Sequence, residues 1–231
     1  MRRAEAGATG PLWIAAAEQT GGRGRSGRHW TSPPGNLYAS LILTYPRLLP
    51  TVAQLSLVAG LAAHDAVARL APTVPLQLKW PNDVLAGGAK LAGILIEGRA
   101  NKDGTAHNVV VGIGINLAHH PELPDRRAAS LANFGVASDP RQALGHLSAS
   151  FQSWHDLWAQ GEGLAAIRGA WLERGTRIGT PVTVHAGAEH LEGRFLGLDE
   201  VGAMLLGLPN GNQRRITFGD VHIAAPSGAG G

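Results

Sequence analysis

The 231-residue chain contains no cysteine. Disulfide staples, thiolate nucleophiles and cysteine-zinc sites are therefore excluded, and a reducing compartment is compatible with the composition. No run of 18 apolar residues occurs, which argues against a membrane-spanning helix. The start, Met1-Arg-Arg-Ala-Glu-Ala6, has basic residues with no apolar stretch behind them, so it does not read as a secretory signal. Cytoplasm is the expected location. Ten histidines are present, but none falls in an H-E-x-x-H or comparable spacing, and no metal ligand is assigned. No G-x-S-x-G stands out, which argues against a hydrolase. There is no internal repeat. Charged residues make up only 16% and the formal net charge is +3, a weak argument for a nucleic-acid partner. Apolar residues reach 44%, enough for a core in one large domain or a medium domain plus a small one.

One absence is local. No Asp or Glu lies between Glu18 and Asp65, and inside that gap sits Gly21-Gly-Arg-Gly-Arg-Ser-Gly-Arg28. Four glycines and three arginines share eight residues. Glycine permits close backbone approach, and arginine offers an always-charged planar fork suited to carboxylate and phosphate oxygens. Three guanidinium groups in one turn repel each other unless an anion joins them. The segment therefore reads as a grip for an anionic ligand. Its formal G-x-G-x-x-G at Gly22, Gly24 and Gly27 is not a dinucleotide fingerprint, because Pro33-Pro34 follow where a helix should open and the downstream acid is missing.

Periodicity predicts strands at Leu12–Glu18 and Leu37–Leu43, then a helix over Thr51–Leu70 ended by Pro72 and Pro75. Leu76–Trp80, Leu91–Glu97 and Val109–Ile115 read as an antiparallel meander with turns at Gly87-Gly88 and Asp103-Gly104. Asp139-Pro140 should cap a helix running to about Gln160, with another within Gly161–Arg174. After Gly175 the texture changes to short strands at Pro181–His185, Leu191–Leu198, Ala203–Leu208 and Arg215–Ile223, the pattern of a small SH3-like barrel. The tail Pro226–Gly231 has nothing to bury. The expected class is α+β: a mixed or antiparallel sheet with helices over residues 1–175, an SH3-like domain over 176–225 and a disordered tail over 226–231.

Two further motifs carry chemistry. Lys79-Trp80-Pro81-Asn82-Asp83 ends a strand, and Lys90 follows the Gly87-Gly88 turn. In a hairpin both lysines reach one end of the sheet, where with the arginines they suit a polyphosphate. In Val111-Gly-Ile-Gly-Ile-Asn116 the glycines let a flat ligand or another backbone approach, and Asn116 could read a base edge. Taken singly, each motif is weak: such residues more often make turns, solvated charges or packing than a site.

In this order and spacing, the segments Glu18–Trp30, Lys79–Asp83, Lys90–Glu97 and Gly112–Leu117 resemble the biotin–protein ligases, over about residues 11 to 224. Gly193–Asp199 and Arg214–Val221 look like the family's C-terminal barrel. The resemblance implies a catalytic domain of the class II aminoacyl-tRNA synthetase/biotin ligase type. It implies ATP and Mg2+, biotin as substrate, and a biotin carboxyl carrier protein or domain of acetyl-CoA carboxylase or a related carboxylase as acceptor. It implies that Gln19 hydrogen-bonds biotin, that Arg23, Gly24 and Arg25 close over biotin and the adenylate, and that Arg25 retains the intermediate. It further implies that Trp30 stacks near adenine, that Lys90 bridges the biotin carboxylate and the α-phosphate, and that Gly93 leaves room for the biotin ring. Lys79, Asn82 and Asn116 are candidates for phosphate, metal and adenine contacts, with Asp83 orienting the lysines. Relatives carry an upstream strand and helix with a Ser-Thr-Asn segment lining the biotin pocket. Met1–Gly10 reads as the end of that helix, so a mis-set start or a truncation is expected, with no DNA-binding module and no DNA partner. A homodimer is compatible with the sequence. A lipoate–protein ligase of the same chemistry, and a non-enzymatic anion or nucleic-acid binder, remain alternatives.

Overall fold

The computed structural model describes residues 7–46, 49–100, 107–123 and 127–223. The expected Asp103-Gly104 turn, the Pro226–Gly231 tail and the first six residues lie outside that range. Six strands form the larger sheet: β1 Leu12–Ala16, β2 Leu37–Tyr45, β3 Leu76–Lys79, β4 Asp83–Ala86, β5 Ala89–Ala100 and β6 His107–Ile115. Their order is β1-β2-β6-β5-β4-β3, and each neighbouring pair is antiparallel. The meander is therefore present, with one strand more than expected. Asp83–Ala86 pairs between β3 and β5, where the sequence pattern predicts no strand. All four of its residues are buried, so no alternation marked it as a strand.

Alternation explains which face of the sheet carries the core. On β6, Val109, Val111, Ile113 and Ile115 point into the main core, while Gly112 and Gly114 fall on the opposite face. Leu37, Ala39, Leu41, Leu43 and Tyr45 do the same on β2. Three helices cover that core: α1 Leu55–Leu70, α2 Pro140–Trp158 and α3 Leu164–Arg174. The predicted start of α1 at Thr51 is a 3-10 turn over Val52–Gln54. Helix α1 is apolar around most of its circumference because the sheet lies on one side and α2 and α3 on others. Asp139 caps α2 as expected, its side chain accepting from Arg141 N at 3.0 Å. Asn36, in the turn before β2, accepts from the amides of Leu117, Ala118 and His119 at 2.9–3.0 Å and fastens the end of β6.

The remaining strands form a second antiparallel sheet of order β10-β9-β8-β7-β11. They are β7 Pro181–Ala186, β8 Glu189–Leu198, β9 Met204–Gly207, β10 Gln213–Ile216 and β11 Asp220–Ile223. The single strand expected over Arg215–Ile223 is thus two. Gly219, at φ +136°, breaks the ladder, and β11 crosses over to pair with β7. This sheet touches the larger one through side chains: Lys79 donates to Val221 O at 2.9 Å and Trp80 Nε1 to Gly202 O at 3.2 Å.

Candidate active site

Strand register brings the motifs together. Lys79 pairs with Asp83, Asp83 with Gly93, Gly93 with Gly114, Gly114 with Tyr38 and Tyr38 with Ala16. One row therefore crosses all six strands, charged at the β3 end and bare in the middle. The β4–β5 turn that sets this register uses Gly87 and Gly88 at φ +56° and +78°, the conformation a two-residue hairpin needs.

At the charged end Asp83 is buried between two lysines. Lys79 Nζ lies 2.9 Å from Oδ2 and Lys90 Nζ 2.5 Å from Oδ1. Burial alone would raise the carboxyl's pKa, but the ammonium groups of Lys90 and Lys79 outweigh it and hold it at about 2. Asp83 is thus a fixed negative centre that aims both lysines. The backbone of Lys90 is held on its outer side as well, its N–H donating to Arg127 O and its carbonyl accepting from Ala129 N, both at 2.9 Å.

The arginine loop folds back over this row. Its base is pinched where Trp30 N donates to Gly22 O at 3.0 Å, and a Cβ on Gly22 would meet Trp30 O at 2.4 Å. Beyond the pinch, Arg25–Gly27 makes a tight turn with Ser26 and Gly27 at positive φ. Arg25 Nη1 donates to Asn82 Oδ1 and to Gly219 O, both at 3.2 Å, and Arg28 pairs with Asp220 of β11. Asn82 in turn donates from Nδ2 to Ile94 O at 2.7 Å. Gln19 accepts from Ser32 Oγ at 2.8 Å and faces the same space.

Between loop and sheet lies a cleft of about 610 Å³. Gln19, Arg23, Gly24, Arg25, Trp30, Lys79, Asn82, Lys90 and Gly93 all line it, so nine of the ten residues singled out as a site converge. Asn116 does not line it. Its Nδ2 donates to Ala129 O at 3.1 Å behind Lys90, and its buried Oδ1 has no hydrogen-bond partner among the described residues. Trp30 takes an unexpected place. Its indole lies on the bare middle of the row, where a Cβ on Gly93 would come 3.1 Å and one on Gly114 2.7 Å from ring atoms. Lys90 Nζ sits 5.5 Å from the ring centre. The room above Gly93 is filled by this ring. Sequence reading missed Arg127 and the Asp220–Ile223 wall contributed by the second sheet. The Arg126-Arg127 pair was a usable signal for the first; the second depends on contacts that no local pattern encodes.

Among the described lining residues six are Arg or Lys and two are Asp. Such a surplus, partly desolvated, can bring two anions together and neutralise charge developing between them. Among the described residues no three His, Asp or Glu side chains are arranged to hold a metal ion, and no helix is long and apolar enough to cross a membrane.

An antiparallel α+β sheet backed by helices, joined to a small β domain and carrying a cationic cleft, defines a ligase catalytic fold of the class II synthetase/biotin ligase type. The chain belongs to the biotin/lipoate A/B protein ligase family: that family's model matches residues 4–116, and the biotin protein ligase C-terminal domain matches residues 178–223. It is 40% identical over 214 residues to a biotin–[acetyl-CoA-carboxylase] ligase of Paracoccus denitrificans, covering 90% of this chain and 88% of that protein. It is 37% identical to the Mycobacterium tuberculosis enzyme of the same name, covering 90% and 77%. The solved biotin protein ligase of Aquifex aeolicus in complex with biotin and ATP superposes with a TM-score of 0.76 at 29% identity, covering 92% of this chain and 89% of that one.

Proposed function

We propose that the chain is an ATP-dependent biotin–[acetyl-CoA-carboxylase] ligase. In the first step an oxygen of the biotin carboxylate attacks the α-phosphorus of ATP. The carboxylate–phosphorus bond forms, the bond to the β-phosphate oxygen breaks, and pyrophosphate leaves with its electron pair. In the second, a carrier lysine amine attacks the acyl carbon, AMP leaves, and the amine gives up a proton. The observation that carries this reading is the cationic cleft with Lys90 fixed at the edge of a glycine floor. Two anions must meet there, and Lys90 is the ammonium group placed to face both.

Lys90 bridges the carboxylate and α-phosphate, with Asp83 aiming it and Lys79 alongside. Arg23, Gly24 and Arg25 close over the adenylate, and Arg25 exchanges its contacts with Asn82 and Gly219 for phosphate oxygens. Gln19 hydrogen-bonds biotin. The glycine floor and Trp30 compete for one space, so a biotin ring on Gly93 and Gly114 requires the indole to swing off, to where it can cover adenine. Asn116 is the weakest of the adenine contacts, since its amide already serves Ala129. Among the described residues the cleft gives Mg2+ no protein cage, because Asp83 is committed to two lysines and Asp220 pairs with Arg28. We therefore treat the metal as part of the substrate, carried on the ATP phosphates. Residues 1–175 are read as the catalytic part and 176–225 as the part that backs the loop. The acceptor is a biotin carboxyl carrier domain.

ATP–pyrophosphate exchange tests the reading, run with biotin, with lipoate and with neither. Exchange with biotin alone is expected. Exchange with lipoate alone would reassign the substrate, and exchange with neither, together with steeply salt-dependent binding to RNA or DNA, would turn the chain into a binding protein.

A further inference from the structure

At the base of the arginine loop Gln19 and Ser32 are tied to each other twice. The Gln19 N–H donates to Ser32 O at 3.3 Å, and the Ser32 hydroxyl donates to Gln19 Oε1 at 2.8 Å. The same hydroxyl has Trp30 O as a second acceptor at 3.0 Å. Ser32 is buried, so water competes little for that hydrogen. Gly22 leaves space for the pair: a Cβ there would come 2.7 Å from Ser32 Oγ and 2.8 Å from Gln19 Oε1. The strands fix where the pair stands. Gln19 follows Ala16, the last member of the row, and Ser32 precedes Pro33, whose carbonyl accepts from Tyr38 Oη at 2.8 Å. Lys90, bound to Asp83, stands at the opposite, charged side of the glycine floor.

An acid that sets its carboxylate at Lys90 and its rings on Gly93 and Gly114 brings its far end toward Gln19. What it meets there depends on one torsion. A glutamine amide is a donor on one side and an acceptor on the other, and turning it over exchanges the two. With Oε1 held by Ser32, the NH2 is the half left for the cleft, and it has no protein partner among the described residues. Resting on the ligase reading, we propose that Ser32 is a positioning residue that sets substrate specificity. It locks the Gln19 amide with its donor toward the cleft, so the site takes an acid whose head carries a carbonyl oxygen, as the cyclic urea of biotin does. An acid without that oxygen, such as one ending in a dithiolane, leaves the donor unpaired once the cleft closes. A site built around a hydrogen bond rejects the analogue lacking it far more strongly than an apolar pocket rejects a change of size. That discrimination holds only while the amide cannot turn over, which is what the serine hydroxyl prevents.

The test separates the head of the acid from the rest of the reaction. Ser32→Ala is compared with the unaltered chain in ATP–pyrophosphate exchange, with biotin and with 2-iminobiotin, in which an imine nitrogen replaces the urea oxygen. The biotin concentration for half-maximal exchange should rise roughly tenfold, the scale of one hydrogen bond lost. Half-saturation by ATP and the maximal rate should stay within about twofold, which also reports that the variant folds. Half-saturation by 2-iminobiotin, poor at the outset, should change little, so the preference for biotin falls by the same factor. Ser32→Thr keeps the hydroxyl and should restore most of the biotin affinity. Gln19→Ala should show the same split between biotin and ATP, and Ser32→Ala added to it should cost nothing further. An unaltered half-saturation by biotin in Ser32→Ala would overturn the inference. So would an equal loss for both acids, a parallel rise for ATP, or additive losses in the double variant. Absence of biotin-dependent exchange in the unaltered chain would instead sink the ligase reading, and this inference with it.

Discussion

Lys79 and Lys90 stand on strands of the sheet, while Arg23, Arg25 and Arg28 ride on a loop that the sheet does not support. All five line one cleft. The lysines share a buried carboxylate and are 15% exposed at the side chain; the Arg28–Asp220 pair is 44% and 27% exposed. The same chemistry, a cation paired with a carboxylate, is thus present in two regimes. In the first, the carboxylate is shut off from solvent, it holds both lysines, and the geometry is set before any ligand arrives. In the second, water screens the pair and the loop can trade one anion for another. A site that must bind two anions, hold a reactive intermediate and then open has use for both: fixed ammonium groups where charge develops, and movable guanidinium groups over it.

The largest effect that can break this contrast comes from Lys90. Replacing it by Ala removes the ammonium group proposed to face both reacting anions. It should lower biotin-dependent pyrophosphate exchange by about 10²–10³-fold, the range for losing one preorganised charge-stabilising donor. Arg25→Ala, on the loop, should lower exchange less and show instead as faster loss of biotinyl-5′-AMP to solvent, followed by release of labelled adenylate. Equal losses of exchange in the two variants would erase the distinction between fixed and movable cations.

Asp83→Asn comes next and acts on stability. It leaves two half-buried lysines facing each other with no charge between them, and should cost about 3 kcal/mol in urea unfolding near neutral pH. Acid titration sharpens the point. The Asp83 carboxyl sits at about 2 in the fold against an ordinary value of 3.8. A lowered carboxyl pKa stabilises the fold above the unfolded value, and that contribution disappears as pH falls from about 4 toward 2. The gap is worth about 2 kcal/mol. Subtracting the Asp83→Asn stability curve from that of the unaltered chain should isolate this acid limb. A flat difference between pH 5 and 2 would show that the lysines do not hold the carboxylate as described.

The chain's patterns disclosed much of this arrangement, and their limits are physical. The glycine-arginine loop, Lys79–Asp83 and Lys90 were legible because each concentrates charge, or glycine, beyond what packing needs. Helices α1 and α2 were legible from periodicity and from the Asp139-Pro140 cap. Three features were not. Strand β4 is buried on both faces, so it lacks the alternation that betrays a half-exposed strand. The row from Lys79 to Tyr38 depends on register, which hairpin geometry sets and composition does not. The wall supplied by β11 rests on contacts such as Arg28–Asp220, between residues 192 positions apart. Trp30 is instructive: its motif placed it beside the cleft, and the missing side chains of Gly93 and Gly114 explain where its ring rests.

That resting place yields a smaller test. A Cβ on Gly114 would lie 2.7–2.8 Å from three atoms of the indole, so Gly114→Ala must push Trp30 off the floor and occupy part of it. Biotin affinity should fall about tenfold, equivalent to ~1.4 kcal/mol. The Trp30 contribution to fluorescence, taken as the difference from Trp30→Phe, should shift in the ligand-free protein toward that of a wetter indole. Biotin titrated into the unaltered chain should move the same signal. A Trp30 signal indifferent to both changes would mean that the ring is not seated on the glycines.

The smallest effect is expected at Arg28. Its pair with Asp220 is exposed enough that solvent screens most of the attraction, and Arg28→Ala should cost less than about 1 kcal/mol in urea unfolding. The informative comparison is with salt. At 0.1 M the screening length is about 10 Å and at 1 M about 3 Å. An exposed pair loses its residual worth over that range, whereas a buried one is out of reach of the ions. The Arg28→Ala penalty should therefore shrink toward zero in 1 M salt while the Asp83→Asn penalty holds nearly constant. Should the Arg28→Ala penalty instead equal that of Asp83→Asn and resist salt, the loop would be clamped to β11 as firmly as the lysines are to Asp83. It could then not open to admit and release its anions without breaking the fold around it.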